Sequence, residues 1–260
     1  LALFYRETGN LEAPLIVLLH GGGVSGWMWD KQIEHFSDYH CLVPDLPGHG
    51  SSSSTNFTIR NSAEQIIDLI QAKEQGKQVI VIGFSLGAQI ALQILSMSPD
   101  LVDYAIINSA LVRPIPFANK IIGPSIKLTY RLTKNRSFSK LQSKQLYIDQ
   151  EMFETYYKET CQMERDLLIQ VLEENMAFSI PEGFAKSQST ILVTVGAKEK
   201  KIMRKSLVDI VKNNPNCKGV IIPGVGHGVS LAQPELFNMI VDAWIHDKEL
   251  PNSWVTELDT

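Results

Sequence analysis

Cysteine is scarce in this chain. Its only thiols are Cys41, Cys161 and Cys217, widely spaced and without a C-x-x-C pair. That spacing excludes a disulfide framework or a dithiol redox motif. Three small, buried, unpaired thiols suit a reducing compartment, so a cytoplasmic protein is expected. An excess of basic charge is missing as well. The formal net charge is −4, whereas a protein that grips a nucleic-acid backbone needs a basic footprint, and no nucleic-acid partner is expected. Long unbroken hydrophobic runs are absent too. The longest apolar stretch, residues 79–95, is interrupted by Gly83, Ser85, Gln89 and Gln93, which fits a strand followed by a helix and no stable membrane insertion. Residues 1–6 alternate like a strand and lack the basic-then-apolar layout of a signal peptide. There is no internal repeat, and Ser51 to Ser54 form a short loop-like serine run. Metal-ligand spacing is absent, so neither a metal nor an organic cofactor is expected.

What is present is the composition of an ordinary globular domain, 44% hydrophobic and 20% charged over 260 residues, ample for one well-buried core. Residues 15–19, 41–43, 79–82, 104–107, 191–195 and 219–222 are short apolar runs without polar alternation, the pattern of parallel strands buried on both faces. Helical spacing lies between several of them. Ala63, Ile66, Ile67 and Ile70 mark one helix over 59–72. Leu236, Phe237, Ile240, Val241 and Trp244 mark another over 234–245, which opens on Pro234. Strands alternating with helices predict an α/β fold, a mostly parallel central sheet with helices on both faces. The rhythm breaks from 111 to 186, where helical patterns at 152–157 and 165–176 dominate. The expected organisation is a core over 1–110 and 187–260 with a helical cap inserted at 111–186.

Three glycine-rich segments carry the chemistry. Gly83-Phe84-Ser85-Leu86-Gly87 follows the run at 79–82 and opens a helix-compatible stretch, which makes it a nucleophile elbow. The turn is tight enough that side chains at 83 and 87 would crowd the backbone, and glycine there lets Ser85 project. The N–H of Leu86 then faces the space where an oxyanion would form. His20-Gly21-Gly22-Gly23 follows the first buried strand and offers a second N–H from Gly22 or Gly23. His20, at the end of that strand, is expected to hold the neighbouring loop by hydrogen bonds. Gly23 and Phe84, beside the loop and the elbow, are expected at the substrate pocket. Gly224-Val225-Gly226-His227-Gly228 follows the last strand, on the loop from which a catalytic imidazole can reach the serine. His35, His40, His49 and His246 lack such a setting.

Taken together, Leu18-Leu19-His20-Gly21, Pro44-Asp45-Leu46-Pro47-Gly48-His49-Gly50-Ser51, Gly83-Phe84-Ser85-Leu86-Gly87 and Gly226-His227-Gly228 resemble the landmarks of the α/β-hydrolase superfamily in their usual order. The resemblance implies that Asp45 and His49 stabilise their loop, and that Ser85 separates the chain from relatives with Asp at the elbow. It places the triad acid after the penultimate strand. The loop there reads Gly196-Ala197-Lys198-Glu199, so Glu199 stands where Asp is commoner. The other position for an acid, after the preceding strand, holds Asn108-Ser109 and offers no carboxylate. The expected activity is a serine hydrolase of carboxylesterase type acting on a small-molecule acyl substrate, with Ser85, His227 and Glu199 catalytic. Two other readings keep the same triad: a lyase or carbon–carbon hydrolase on an anionic substrate, like the menaquinone-pathway synthase, and a ligand-binding receptor with little turnover. Nothing in the sequence fixes the oligomeric state or the substrate.

One charge pattern stands apart. Eight basic residues and no acid lie between Arg113 and Lys144, followed by a mostly acidic stretch over 149–174. A pair of cap helices with mutually attractive solvated faces would explain it. So would a basic face turned toward the pocket mouth or a membrane.

Overall fold

The structure, a computed structural model, describes residues 3–250 and 256–257. Eight strands form one sheet in the order β1-β3-β2-β4-β5-β6-β7-β8. They are β1 (Tyr5–Gly9), β2 (Leu15–Leu19), β3 (His40–Pro44), β4 (Val79–Phe84), β5 (Tyr104–Asn108), β6 (Thr190–Gly196), β7 (Cys217–Ile222) and β8 (Thr256–Glu257). The six central strands run parallel, and β1 and β8 pair antiparallel at the two edges.

Continuous apolar strands form because both faces are covered. In β2, Leu15, Val17 and Leu19 enter one core while Ile16 and Leu18 enter the other. The same alternation divides β4, with Val79 and Val81 on one face and Ile80, Ile82 and Phe84 on the other. A side-chain period of two thus turns each run into half of two separate cores. The strand expected over 1–6 begins later, at Tyr5, and continues through polar Arg6, Glu7 and Thr8. As an edge strand it is exposed along one side, which tolerates that polarity; residues 1–2 lie outside the described part.

Ten α-helices are present among the described residues: α1 (Asp30–His35), α2 (Ile59–Lys73), α3 (Leu86–Met97), α4 (Ala118–Thr133), α5 (Arg136–Gln145), α6 (Gln150–Gln162), α7 (Arg165–Ala177), α8 (Lys201–Asn213), α9 (Val229–Ala232) and α10 (Pro234–Ile245). α2 starts where Thr58 accepts a hydrogen bond from the Asn61 N–H and buries the Ile66–Ile70 side against the sheet. α4 to α7 occupy the insertion between β5 and β6. The turn Glu182–Lys186 packs on α3 of the core, with Phe184 wholly buried.

Candidate active site

β4 ends at Phe84 and α3 begins at Leu86, which leaves a single residue for the turn. Ser85 makes it with φ +52° and ψ −110°, a conformation that costs a non-glycine residue on the order of 1–3 kcal/mol. Close packing on both sides enforces it. A Cβ at Gly83 would lie 2.5 Å from the Gly87 carbonyl oxygen, and one at Gly87 would lie 2.2 Å from that of Leu19. The Ser85 N–H donates to the Asn108 carbonyl at 2.9 Å, which ties the elbow to β5. The hydroxyl remains half-exposed at the end of the sheet.

Leu86 is the first residue of α3, so its N–H has no acceptor within the helix and sits at the positive end of the helix dipole. The glycine loop after β2 lies over it, since a Cβ at Gly22 would rest 3.6 Å from Leu86 Cδ2.

His227 sits on the loop between β7 and α9, ahead of Gly228 at φ +109°. Its Nε2 is 3.0 Å from Ser85 Oγ, and its Nδ1 is 2.8 Å from Glu199 Oε2. Glu199 is only 7% exposed. Its other oxygen, Oε1, accepts from the Ser109 hydroxyl at 2.6 Å and the Gly196 N–H at 3.0 Å. Burial pushes the Glu199 carboxyl up, but the hydrogen bond and charge of His227, with the donors of Ser109 and Gly196, outweigh it. The net pKa lies below the ordinary carboxylate value. With Glu199 ionised, Nδ1 carries the proton and Nε2 is left to accept from Ser85.

Ser85, His227 and Glu199, singled out by their sequence settings, thus form one hydrogen-bonded chain, with Leu86 and Gly22 beside it. Phe84 requires a correction. It is 2% exposed, its ring lies 4.9 Å from that of His227, and it supports the imidazole instead of lining a pocket. β4 runs two residues beyond the apolar run at 79–82, and strand parity sends Phe84 inward with Ile80 and Ile82.

Ser109 was missed as a site residue. The position after β5 offers no carboxylate, and what it supplies is a donor to one. Tyr147, whose hydroxyl accepts from the Gly226 N–H at 3.0 Å, was missed as well, because no local pattern links a cap residue to a loop 79 positions away.

The glycine loop opens onto a cavity of about 720 Å³, bordered by Gly22, Gly23, Val24, His49 and the cap residues Ile126, Leu146, Tyr156, Glu159, Leu167 and Leu172, among others. Ser85 and His227 are not among its lining residues, and Gly22 joins the cavity to the site. Glu159 and Glu164 are its charged lining groups; none of the lining residues is Lys or Arg. The basic cap segment therefore meets this cavity through uncharged residues, Ile126, Thr133 and Gln142, and not through its cations. Glu159 accepts from Ser25 Oγ at 2.8 Å and from Trp27 Nε1 at 2.9 Å. Burial, aided by the charge of Asp45, raises its pKa against those two donors.

The remaining landmarks hold backbone. Asp45 accepts from the N–H groups of Gly26 and Ser51, both at 2.8 Å. His20 Nδ1 faces the Gly21 carbonyl at 2.7 Å and Nε2 accepts from the Leu46 N–H at 2.9 Å, as expected of a loop-holding residue. Burial brings His20 down to about 4, and burial with the neighbouring His20 brings His49 down to about 3.

Comparison with known proteins agrees with this architecture. The profile of the alpha/beta hydrolase family matches residues 16–239. The magnesium-chelatase 30 kDa subunit of Rhodobacter capsulatus is 41% identical over 97 residues, 36% of this chain, which spans 34% of that protein. Lipase 1 of Psychrobacter immobilis is 24% identical over 237 residues, 86% of this chain and 74% of the lipase. Among solved structures, MGS-M2, an alpha/beta hydrolase enzyme from a Medee basin deep-sea metagenome library, superposes with TM-score 0.78 at 18% identity over 96% of both chains.

Proposed function

Because the chain belongs to the alpha/beta hydrolase family, we propose that it is a serine hydrolase that cleaves a small carboxylic ester or related acyl bond through Ser85, His227 and Glu199. The observation that carries this reading is the unbroken chain from Ser85 Oγ through both imidazole nitrogens to a buried carboxylate, at 3.0 and 2.8 Å.

Ser85 Oγ attacks the carbonyl carbon while its proton passes to His227 Nε2. The Glu199 carboxylate holds Nδ1–H in place and stabilises the imidazolium. The carbonyl oxygen becomes an oxyanion beside the N–H groups of Leu86 and Gly22. Collapse expels the alcohol, which takes the proton from Nε2 and leaves an acyl-serine. Water then attacks that ester, giving its proton to Nε2, and the acid departs as Ser85 regains a proton.

The cavity beside Gly22 accommodates the larger part of the substrate. With two carboxylates and no Lys or Arg among its lining residues, it supports a neutral, largely apolar substrate over the anionic one that the lyase reading requires. The test is covalent labelling with a fluorophosphonate, read by peptide mass spectrometry. Labelling confined to Ser85, lost together with roughly 10⁴-fold of ester turnover in Ser85→Ala, is the expected result. Undiminished turnover in that variant removes the proposal. Stoichiometric labelling without multiple turnover of any simple ester returns the receptor reading.

A further inference from the structure

The outward face of the cap carries a feature that the triad does not use. Along α4, Ile121, Leu128 and Leu132 are 59%, 86% and 48% exposed. At 100° per residue these three fall within about 40° of one another, so they form one apolar stripe on the helix surface. The helix does not lack a core-facing side. Ala118 and Ile122 are buried, and Ile126 packs with them against Ile169 and Leu172 of α7. Lys120, Lys127 and Arg131, all exposed, fall within about 40° of each other on the flank of the stripe away from that buried side. Leu141 of α5 is 60% exposed and stands beside exposed Lys140, with Lys144 one turn on.

Most cations of this segment have no carboxylate partner among the described residues. Of the eight basic residues between Arg113 and Lys144, Arg113 pairs with Asp209 and Arg136 with Glu154. The other six make no ion pair among the described residues. Lys120 and Lys134 lie over the rings of Phe117 and Tyr130. The mutual attraction of the basic and acidic cap segments thus accounts for one of the eight, Arg136.

We propose that this face of α4 and α5 docks on the surface of an anionic phospholipid bilayer. An apolar stripe flanked by Lys and Arg is the arrangement that lets a helix lie in the interface, with the aliphatic stems following the stripe and the charged heads meeting phosphate. The rest of the molecule supplies the orientation. Eight of the 24 basic residues and none of the 28 acidic ones lie in this segment, so the remainder of the chain has a formal charge of −12. An anionic surface attracts this segment and repels the net charge of the rest. A symmetric dimer through the same face would oppose six unpaired cations to six, which makes a second copy the poorer occupant. No helix among the described residues is long and apolar enough to cross a membrane, so the docking is peripheral.

The test is co-sedimentation of the whole chain with vesicles of phosphatidylcholine alone or with about one-third phosphatidylglycerol. Binding is expected to the anionic vesicles only, and to decline as salt shortens the Debye length. Lys120→Gln, Lys127→Gln and Arg131→Gln together should weaken it about a hundredfold, at roughly fivefold per charge near the surface. Leu128→Ser with Leu132→Ser should weaken it at least tenfold, from the apolar area withdrawn. Both variants alter exposed side chains without ion pairs, so the circular dichroism melt and labelling of Ser85 should match the parent. Absence of binding to anionic vesicles at low salt, or equal binding by parent and both variants, overturns the proposal. So does a self-association abolished by the leucine variant in a protein that ignores vesicles. Because the readout is binding, it does not depend on whether the chain is an esterase.

Discussion

Replacing Glu199 by glutamine changes one oxygen for an NH₂ group and tests the arrangement of donors around the carboxylate. Three donors converge on it: His227 Nδ1–H on Oε2, and the Ser109 hydroxyl with the Gly196 N–H on Oε1. An amide can satisfy only one of these sides with its oxygen. With the oxygen toward Ser109 and Gly196 two hydrogen bonds survive, but the NH₂ group faces Nδ1. The histidine must then carry its proton on Nε2, where it cannot accept from Ser85. With the oxygen toward Nδ1, the NH₂ group faces the fixed Gly196 N–H, and a buried donor is left without an acceptor at a cost of about 1–3 kcal/mol. The first orientation wins, and the imidazole is locked in the unproductive tautomer.

The comparable change in a Ser-His-Asp triad lowers kcat by about 10⁴, close to 5.5 kcal/mol of barrier. The same loss is expected in Glu199→Gln. It should be measured as kcat for hydrolysis of a p-nitrophenyl ester, with KM changed little because the cavity is untouched. The rate of fluorophosphonate labelling should fall in parallel, while the thermal midpoint stays within a few degrees. Glu199→Asp restores the charge and loses only reach, so it should recover part of the rate. A kcat in Glu199→Gln within tenfold of the parent would refute the tautomer argument and place the acid elsewhere.

Ser109→Ala removes one donor to the ionised carboxylate, so kcat should fall about tenfold, a charge-assisted hydrogen bond being worth about 1.5–3 kcal/mol. KM should change little, because Ser109 meets Glu199 and not the cavity; an unchanged kcat would leave Ser109 without a positioning role. Stability should fall with acid over a defined window. His20 and His49 are buried neutral with folded values of about 4 and about 3, below the unfolded 6.5, so below pH 6.5 the unfolded state binds more protons and stability declines until the folded values are reached. By pH 5 each has withdrawn about 2 kcal/mol, and urea midpoints that are flat between pH 7 and 5 would contradict this. Finally, kcat/KM for a neutral ester should exceed that for its carboxylate-bearing analogue, and Glu159→Gln should narrow the gap; equal values in the parent would show that the cavity charge does not select.

The sheet was legible because parallel strands buried on both faces leave unmistakable apolar runs, and the elbow because Gly83 and Gly87 are sterically required. Glu199 was legible only through the family resemblance, since a carboxylate in a run of lysines has no local signature. Phe84 could have been placed from parity alone, had β4 been extended two residues. α8 was not anticipated, its first turn being rich in charge (Lys201, Arg204 and Lys205). Ser109 and Tyr147 were illegible for a different reason. Their roles exist only across 90 and 79 residues of intervening chain, and hydrogen bonds of that reach leave no pattern in sequence.

The separation of the parent strands explains why such partners are needed. Ser85 follows β4, Ser109 follows β5, Glu199 follows β6 and His227 follows β7, four neighbours in the sheet. At about 4.8 Å per step, β4 and β7 lie roughly 14 Å apart, whereas Nε2 and Oγ are 3.0 Å apart. The histidine loop must therefore fold back across two strands. It does so by lying on the β6 loop, where the Lys198 N–H donates to the Val225 carbonyl at 2.8 Å. The absence of a side chain at Gly196 permits the approach, since a Cβ there would meet the Gly226 oxygen at 2.4 Å. Ser109 draws the Glu199 end of that loop toward β5, and Tyr147 holds the Gly226 N–H from the cap side. The hydrogen-bonded chain of Ser85, His227 and Glu199 is thus a span bridged by the intermediate strands, and the residues that bridge it fix the separation of Nε2 and Oγ.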